Sequence, residues 1–215
     1  YKSRCCLQGN WMKQGIDYEE SFSTGSKHTT VKLIFALGAA YDWEDFIADV
    51  HGAYLLAKKP ESGVGAVTHV YQPEGFEKIG PDGKPMIGIL NTHLYGDPAA
   101  GRAWQAEFEG ILKKELGAEN NDIDPNFWRI NNKIGRAIFA KHVDEIIGIA
   151  DSKAMRAWVE ERLKATLPIS LFDGWKTVLG FGVTRDRSRR QVKVNATRII
   201  DDMVKARASS AATAS

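Results

Sequence analysis

Phe46-Ile47-Ala48-Asp49-Val50-His51-Gly52-Ala53-Tyr54 and Phe139-Ala140-Lys141-His142-Val143-Asp144-Glu145-Ile146-Ile147 are the two stretches whose reading decides the fold. In the first, Asp49 closes an apolar run of strand length. In the second, an acidic pair sits at the tip of a strand–turn–strand. Aspartate at a strand end most often forms a turn or caps a helix, and for either stretch alone that reading stands. Taken together they say more: adjacent strands of one sheet would set Asp49 and Asp144 side by side. Their hard oxygens suit Mg²⁺, and two such ions about 3.5–4 Å apart clamp the attacking and leaving oxygens of a phosphoryl transfer.

Working outward, helices and strands interleave. Thr29 or Thr30 can cap a helix carrying Val31, Leu33, Ile34 and Leu37, which ends near Tyr41. A glycine-rich loop, 62–66, leads to a strand at 67–71, and Pro81-Asp82-Gly83 turns the chain into another at 86–90. A helix over 102–116 has Trp104, Phe108, Ile111 and Leu112 in register and Gly117 as its stop. Strands at 127–130 and 134–141 flank Asn131-Asn132-Lys133, a further strand covers 146–150, and Ser152 caps a helix to Leu167. Strands at 178–184 and 191–195 form a hairpin with the basic loop Arg185–Arg190 at its tip. Hairpin-paired strands with helices on one face predict an α+β fold, an antiparallel sheet backed by helices. No dinucleotide fingerprint or phosphate-cradling Gly-Lys-Ser/Thr loop occurs.

The composition is that of a globular chain: 215 residues, 43% hydrophobic and 26% charged. Apolar runs such as Ile146–Ala150 fall far short of the roughly 20 residues a membrane-spanning helix needs, so no membrane partner is expected. The chain opens on Tyr1 rather than Met, which suggests a segment of something longer. Adjacent Cys5 and Cys6 are poorly placed to bridge and read as reduced thiols. The net charge is only +2, but eight basic residues against three acidic ones between Arg185 and Arg207 leave a local excess of five. Such a patch follows a polyanion or is simply a solvated face. The stretch 208–215, all Ala, Ser and Thr, reads as a disordered tail.

Further motifs occur in a fixed order. Gly15-Ile16-Asp17-Tyr18-Glu19-Glu20-Ser21-Phe22-Ser23 resembles G-I-D-Y-E-E-T-F-S; Ala48-Asp49-Val50-His51-Gly52-Ala53-Tyr54-Leu55 resembles L-D-V-x-x-A-F-L; Gln72-Pro73-Glu74-Gly75-Phe76 is Q-P-E-G-F. Leu94-Tyr95-Gly96 and Arg102-Ala103-Trp104 frame L-Y-G-L-K-Q-x-P-R-A-W. Asp124-Pro125 resembles the start of D-P-C-L-Y, His142-Val143-Asp144-Glu145 stands at Y-V-D-D, and Leu179-Gly180 falls at L-G-x-x-I. In this order they resemble the reverse transcriptase domain of copia-type LTR retrotransposon polyproteins over nearly the whole chain.

That resemblance implies an RNA-directed DNA polymerase of right-hand fold in residues 1–207. Fingers would cover roughly 1–45 and 58–95, and palm roughly 46–57 and 96–185, with no thumb. It implies metal-binding carboxylates at Asp49 and Asp144, Glu145 at the third acidic position, the Val50 carbonyl on one ion, and Mg²⁺ or Mn²⁺ as cofactor. Lys2 and Arg4 would hold the triphosphate of a dNTP, Tyr54 would exclude a 2′-hydroxyl, and Ala99 stands where a glutamine contacts the nucleotide. Arg102 and the loop residues Arg185, Arg187, Arg189 and Arg190 would follow the RNA template and DNA primer. The rest of a polyprotein (ribonuclease H, integrase) would accompany it, in an intracellular particle or the nucleus. Three departures stand out: Glu145 is one methylene longer than aspartate, His142 replaces tyrosine, and Asp97-Pro98-Ala99-Ala100-Gly101 replaces L-K-Q-x-P and sets the negative Asp97 near a polyanion. The competing readings are a degenerate relic that folds and binds nucleic acid, and an unrelated α+β domain whose acids only form turns.

Overall fold

Runs such as Phe46–Ala48 and Ile146–Ala150 have no polar side to turn to water, so they fold in central strands covered on both faces. The computed structural model describes residues 4–212. In chain order its elements are α1 (His28–Tyr41), β1 (Glu44–Val50), α2 (Ala53–Leu56), β2 (His69–Tyr71), β3 (Ile87–Ile89) and α3 (Ala100–Leu116). There follow β4 (Glu119–Asn120), β5 (Phe127–Asn131), β6 (Arg136–His142), β7 (Glu145–Ala150), α4 (Lys153–Thr166), β8 (Ile169–Phe172), β9 (Thr177–Val178), β10 (Phe181–Asp186), β11 (Gln191–Asn195) and α5 (Thr197–Ala212). Antiparallel sheets and helices thus make a mixed α/β architecture.

Two compact units divide the chain, one of residues 4–23 and 52–111, the other of 24–51 and 112–212. Residues 24–45 fall in the second unit and residues 96–111 in the first. That unit is built on a six-stranded antiparallel sheet of order β4-β5-β6-β7-β1-β8 and a three-stranded sheet β11-β10-β9. Helix α1 buries Val31, Ile34 and Phe35 against Ile47, Ile147, Ile149, Trp175 and Val183. The alternate residues Phe46, Ala48, Phe139 and Ile146 are equally buried, and α4, with its own Met155, Val159 and Leu163 buried, packs on these strands outside that cluster. Helices therefore cover both faces rather than the expected one.

Three local features differ from the sequence reading. The cap of α1 is neither Thr29 nor Thr30: Lys27 occupies the cap position, and the buried Asp124 carboxylate accepts its N–H at 3.0 Å and the Thr30 hydroxyl as well. A distant aspartate thus ties down the start of the helix, although it accepts none of the first-turn backbone N–H groups that a cap would. The expected strand at 178–184 breaks at Leu179 and Gly180, whose φ of 49° and 81° reverse the chain into β10. Finally, α5 extends through the first part of the Ala/Ser/Thr-rich stretch as far as Ala212; residues 213–215 of that tail lie outside the described residues. The Ser152 cap of α4 does form, its hydroxyl accepting the Met155 N–H at 3.2 Å, and Gly117 leaves α3 with a left-handed φ of 61°.

One packing feature gives a prediction. Phe46 and Phe139 both lie directly opposite Gly148, on β1 and β6, and a Cβ on Gly148 would stand 2.2 Å from the Phe46 ring and 2.7 Å from the Phe139 Cβ. Both rings are fully buried and have nowhere to move. Gly148→Ala is expected to destabilise the domain by about 1–3 kcal/mol, the usual cost of overpacking, read as a lower urea midpoint with unchanged slope.

The first unit carries the β2–β3 hairpin, α2, α3 as far as Ile111 and a segment in which the Leu7 N–H meets the Tyr95 carbonyl at 2.7 Å. Cys5 and Cys6 are free and exposed. Among the described residues no helix is long and apolar enough to cross a membrane.

Candidate active site

Strand β1 lies between β7 and β8, and its register with β7 sets Asp49 directly opposite Glu145. Residues so paired share a face, with Cβ atoms about 4.5–5.5 Å apart. That face is also the one carrying Ile47 and Ile147. Asp144 is not the strand neighbour the sequence reading expects: β7 begins at Glu145, and Asp144 sits in the two-residue turn from β6, where its carbonyl accepts the Val50 N–H at 2.9 Å. The turn's first residue, Val143, has φ of 59°. A β-branched side chain is strained there by about 1–3 kcal/mol, in a position that favours glycine. Strain of this kind concentrates at functional sites.

The electrostatics follow from the register. Burial pushes the Glu145 carboxyl above its ordinary value; the Leu179 amide, donating to it at 3.2 Å, opposes this, and the charges of Asp49 and Asp144 push it further up. Three carboxylates thus crowd one end of two central strands. Asp49 and Glu145 line a cleft of about 650 Å³ with Ile47, Lys176, Gly180 and Arg198. Among the described residues no three His, Cys, Asp or Glu side chains form a ready-made metal cage. Mg²⁺ seldom needs one, being held by one or two carboxylates together with waters and substrate phosphates. Crowded, partly buried oxygens that repel one another fit such an ion.

The remaining predicted residues fall into different settings. In the first unit, Tyr54 on α2 packs against Tyr95, ring centroids 5.4 Å apart, and the Arg4 guanidinium lies 4.9 Å from the Tyr95 ring centre. Ala99 and Arg102 line a cavity of about 340 Å³ with Asp17, Lys59 and His93, and Arg102 pairs with Glu20 at 2.7 Å. Lys2 lies outside the described residues.

One expectation is corrected. Asp97 does not present its charge to a polyanion: its fully buried carboxylate is held by Lys59 at 3.0 Å and His93 at 2.8 Å, with the Ala99 N–H on its other oxygen. Burial alone would raise its carboxyl, but the hydrogen bonds from His93, Lys59 and the Ala99 amide prevail and hold it at about 2. Arg185 and Arg187, expected to follow the template and primer, are both engaged with acids of the same unit. Arg185, its side chain only 8% exposed, pairs with Asp45 and Asp42, donates to the Gly38 carbonyl at 2.7 Å and lies over Trp175. Arg187 pairs with Asp42, Glu44 and Asp45. These arginines fasten the three-stranded sheet to the start of β1, four residues before Asp49. Arg189 and Arg190 are both exposed: the head of Arg189 lies 3.8 Å from Asp186, and Arg190 donates to the Ala40 carbonyl at 3.0 Å. Sequence reasoning also missed Lys59, His93 and Asp45, which carry no motif of their own.

A mixed α/β domain with carboxylates crowded at the end of two central antiparallel strands is the class these observations define. The chain belongs to the reverse transcriptase (RNA-dependent DNA polymerase) family, whose model matches residues 1–213. It is 27% identical over 201 residues to the retrovirus-related Pol polyprotein from transposon TNT 1-94 of Nicotiana tabacum, covering 94% of this chain and 15% of that protein. Against the corresponding polyproteins from transposons RE1 and RE2 of Arabidopsis thaliana it is 26% and 28% identical, over 68% of this chain and 10% of each. The chain therefore spans between 10% and 15% of the length of these copia-type relatives. No solved structure gives a significant match.

Proposed function

We propose that this domain is the polymerase unit of a retrotransposon Pol polyprotein, adding dNTPs to a DNA primer on an RNA template. The observation that carries this reading is the crowding of Asp49, Asp144 and Glu145 at the end of β1 and the β6–β7 turn. The unit bearing the six-stranded sheet acts as palm, and the unit bearing the β2–β3 hairpin as fingers. Asp49 and Asp144, with the Val50 carbonyl, hold Mg²⁺ or Mn²⁺. When bound, such ions stabilise the charge that develops as a primer 3′-hydroxyl attacks the α-phosphorus of a dNTP and pyrophosphate leaves. The protein's own part is positional. Strand register fixes Asp49, the strained turn fixes Asp144, and Tyr54, backed by Tyr95, stands under the incoming sugar where a 2′-hydroxyl would clash. Arg4, steadied by the Tyr95 ring, meets the triphosphate as a planar donor fork, with Lys2 beside it in sequence. Arg102, Arg189 and Arg190 give sequence-indifferent phosphate contacts.

The relic reading draws on Ala99, whose methyl group offers no hydrogen bond to a nucleotide. Extension of a DNA primer on homopolymer RNA, with Mg²⁺ and with Mn²⁺, separates the two. The polymerase reading expects a divalent-dependent product ladder and template affinity that falls with salt at a log–log slope of about −0.7 per phosphate contact on single strands. Tight, salt-sensitive binding with no product in either metal establishes the relic.

A further inference from the structure

The loop joining β9 to β10 has left-handed φ at both central residues, 49° at Leu179 and 81° at Gly180. This is the signature of a type I′ hairpin turn, which glycine adopts freely and leucine does not. The ladder here pairs Val178 with Phe181, so the Leu179 N–H points out of it and requires another acceptor. Glu145 supplies one, its Oε2 receiving that N–H at 3.2 Å across 34 residues of sequence. An aspartate at this position would draw the carboxylate back by about one C–C bond, roughly 1.5 Å, and the amide would be out of hydrogen-bonding range. The extra methylene by which this chain departs from Y-V-D-D is therefore used. Glu145 is also the residue directly opposite Asp49.

We infer that Glu145 is a positioning residue: its longer arm ties the Leu179-Gly180 turn to the head of β7, fixing the end of the strand pair that presents Asp49 to the cleft and that follows directly on Asp144 in the turn, and it is not itself a cation ligand. The functional consequence rests on the polymerase reading; the tie itself does not.

Two substitutions separate arm from charge. Glu145→Gln keeps length and acceptor but loses charge, whereas Glu145→Asp keeps charge but loses reach. Amide hydrogen exchange on the metal-free protein reads the tie directly. Leu179 is expected to exchange slowly in the wild type and in Glu145→Gln, and at least about tenfold faster in Glu145→Asp, since the hydrogen bond is what protects it. A Leu179 amide unprotected in the wild type, or indifferent to Glu145→Asp, overturns the inference. Primer extension supplies the second arm. Glu145→Asp is expected to fall below Glu145→Gln in kcat by about 10–100-fold, the scale of an ångström misplacement, with little difference in KM for primer. The reverse ranking, Asp active and Gln inert, makes Glu145 a ligand and overturns it too. A wild-type protein that extends no primer refutes the polymerase reading alone, and the exchange result still decides the tie.

Discussion

Asp49→Asn is expected to raise the melting temperature of the metal-free protein by a degree or two while lowering primer extension by on the order of 10³-fold. The gain in stability comes from Glu145. Its carboxyl is raised first by burial and then by the charges of Asp49 and Asp144, so replacing a charge directly across the strand pair removes a repulsion. Cross-strand charge pairs are worth about 0.2–1 kcal/mol, and 1 kcal/mol shifts a domain of 150–250 residues by about 2–4 °C. The loss in rate comes from the same carboxylate. A catalytic ion supplies several kcal/mol of charge stabilisation, and every 1.36 kcal/mol is tenfold in rate. Opposite signs in stability and activity mark a site kept for function at the expense of the fold. A variant with both quantities lowered would show Asp49 to be a structural residue instead.

The largest stability effect is expected in the other unit. Asp97→Ala should cost about 3–5 kcal/mol, because it strands a Lys59 ammonium only 4% exposed, and a charge left alone in the interior is far costlier than a paired one. Lys59→Met combined with Asp97→Asn should recover most of that loss, since the two sites share one interaction. The pH dependence follows from the direction of the shift. With a folded value of about 2 against an ordinary 3.8, the Asp97 carboxylate contributes stability that is complete above the unfolded value and lost as pH falls toward 2. Glu145 works the other way. Its folded value is raised, so its penalty is full above that value and disappears as pH falls toward its ordinary 4.5. Urea melts of the metal-free protein should therefore show stability rising from neutral pH into the mildly acidic range and then declining below about pH 4. Asp97→Asn should make the acid decline shallower.

What the sequence made legible depended on whether the cause of a feature was local. β1 and β7 were readable because a strand buried on both faces needs an unbroken apolar run. α3 and α4 were readable because Trp104, Phe108 and Leu112, and Met155, Val159 and Leu163, repeat at helical spacing and are buried. The acids at 49, 144 and 145 were readable because each closes or opens such a run. The distant pairings were not. Nothing local tells that Asp124 holds the start of a helix 97 residues earlier, that Arg185 is spent on Asp45 across 140 residues, or that Asp97 faces Lys59 instead of solvent. A charge in a sequence reports a side chain, not its partner. The break at Leu179 was equally hidden, because leucine carries no preference for a left-handed φ and the hairpin imposes it. The cover on both faces of the sheet was missed for the same reason: α1 and α4 are each amphipathic, and their patterns alone do not say which face of the sheet each one takes.

Mn²⁺ binding to the metal-free protein, followed by water-proton relaxation in the wild type, Asp49→Asn and Asp144→Asn, tests most directly whether the acids at the end of β1 and the β6–β7 turn hold a divalent ion. Substituting even the outer partners of a metal site costs 10–100-fold in affinity, so saturable wild-type binding weakened at least about tenfold by either substitution is the predicted result. Equal affinity in all three proteins would contradict it.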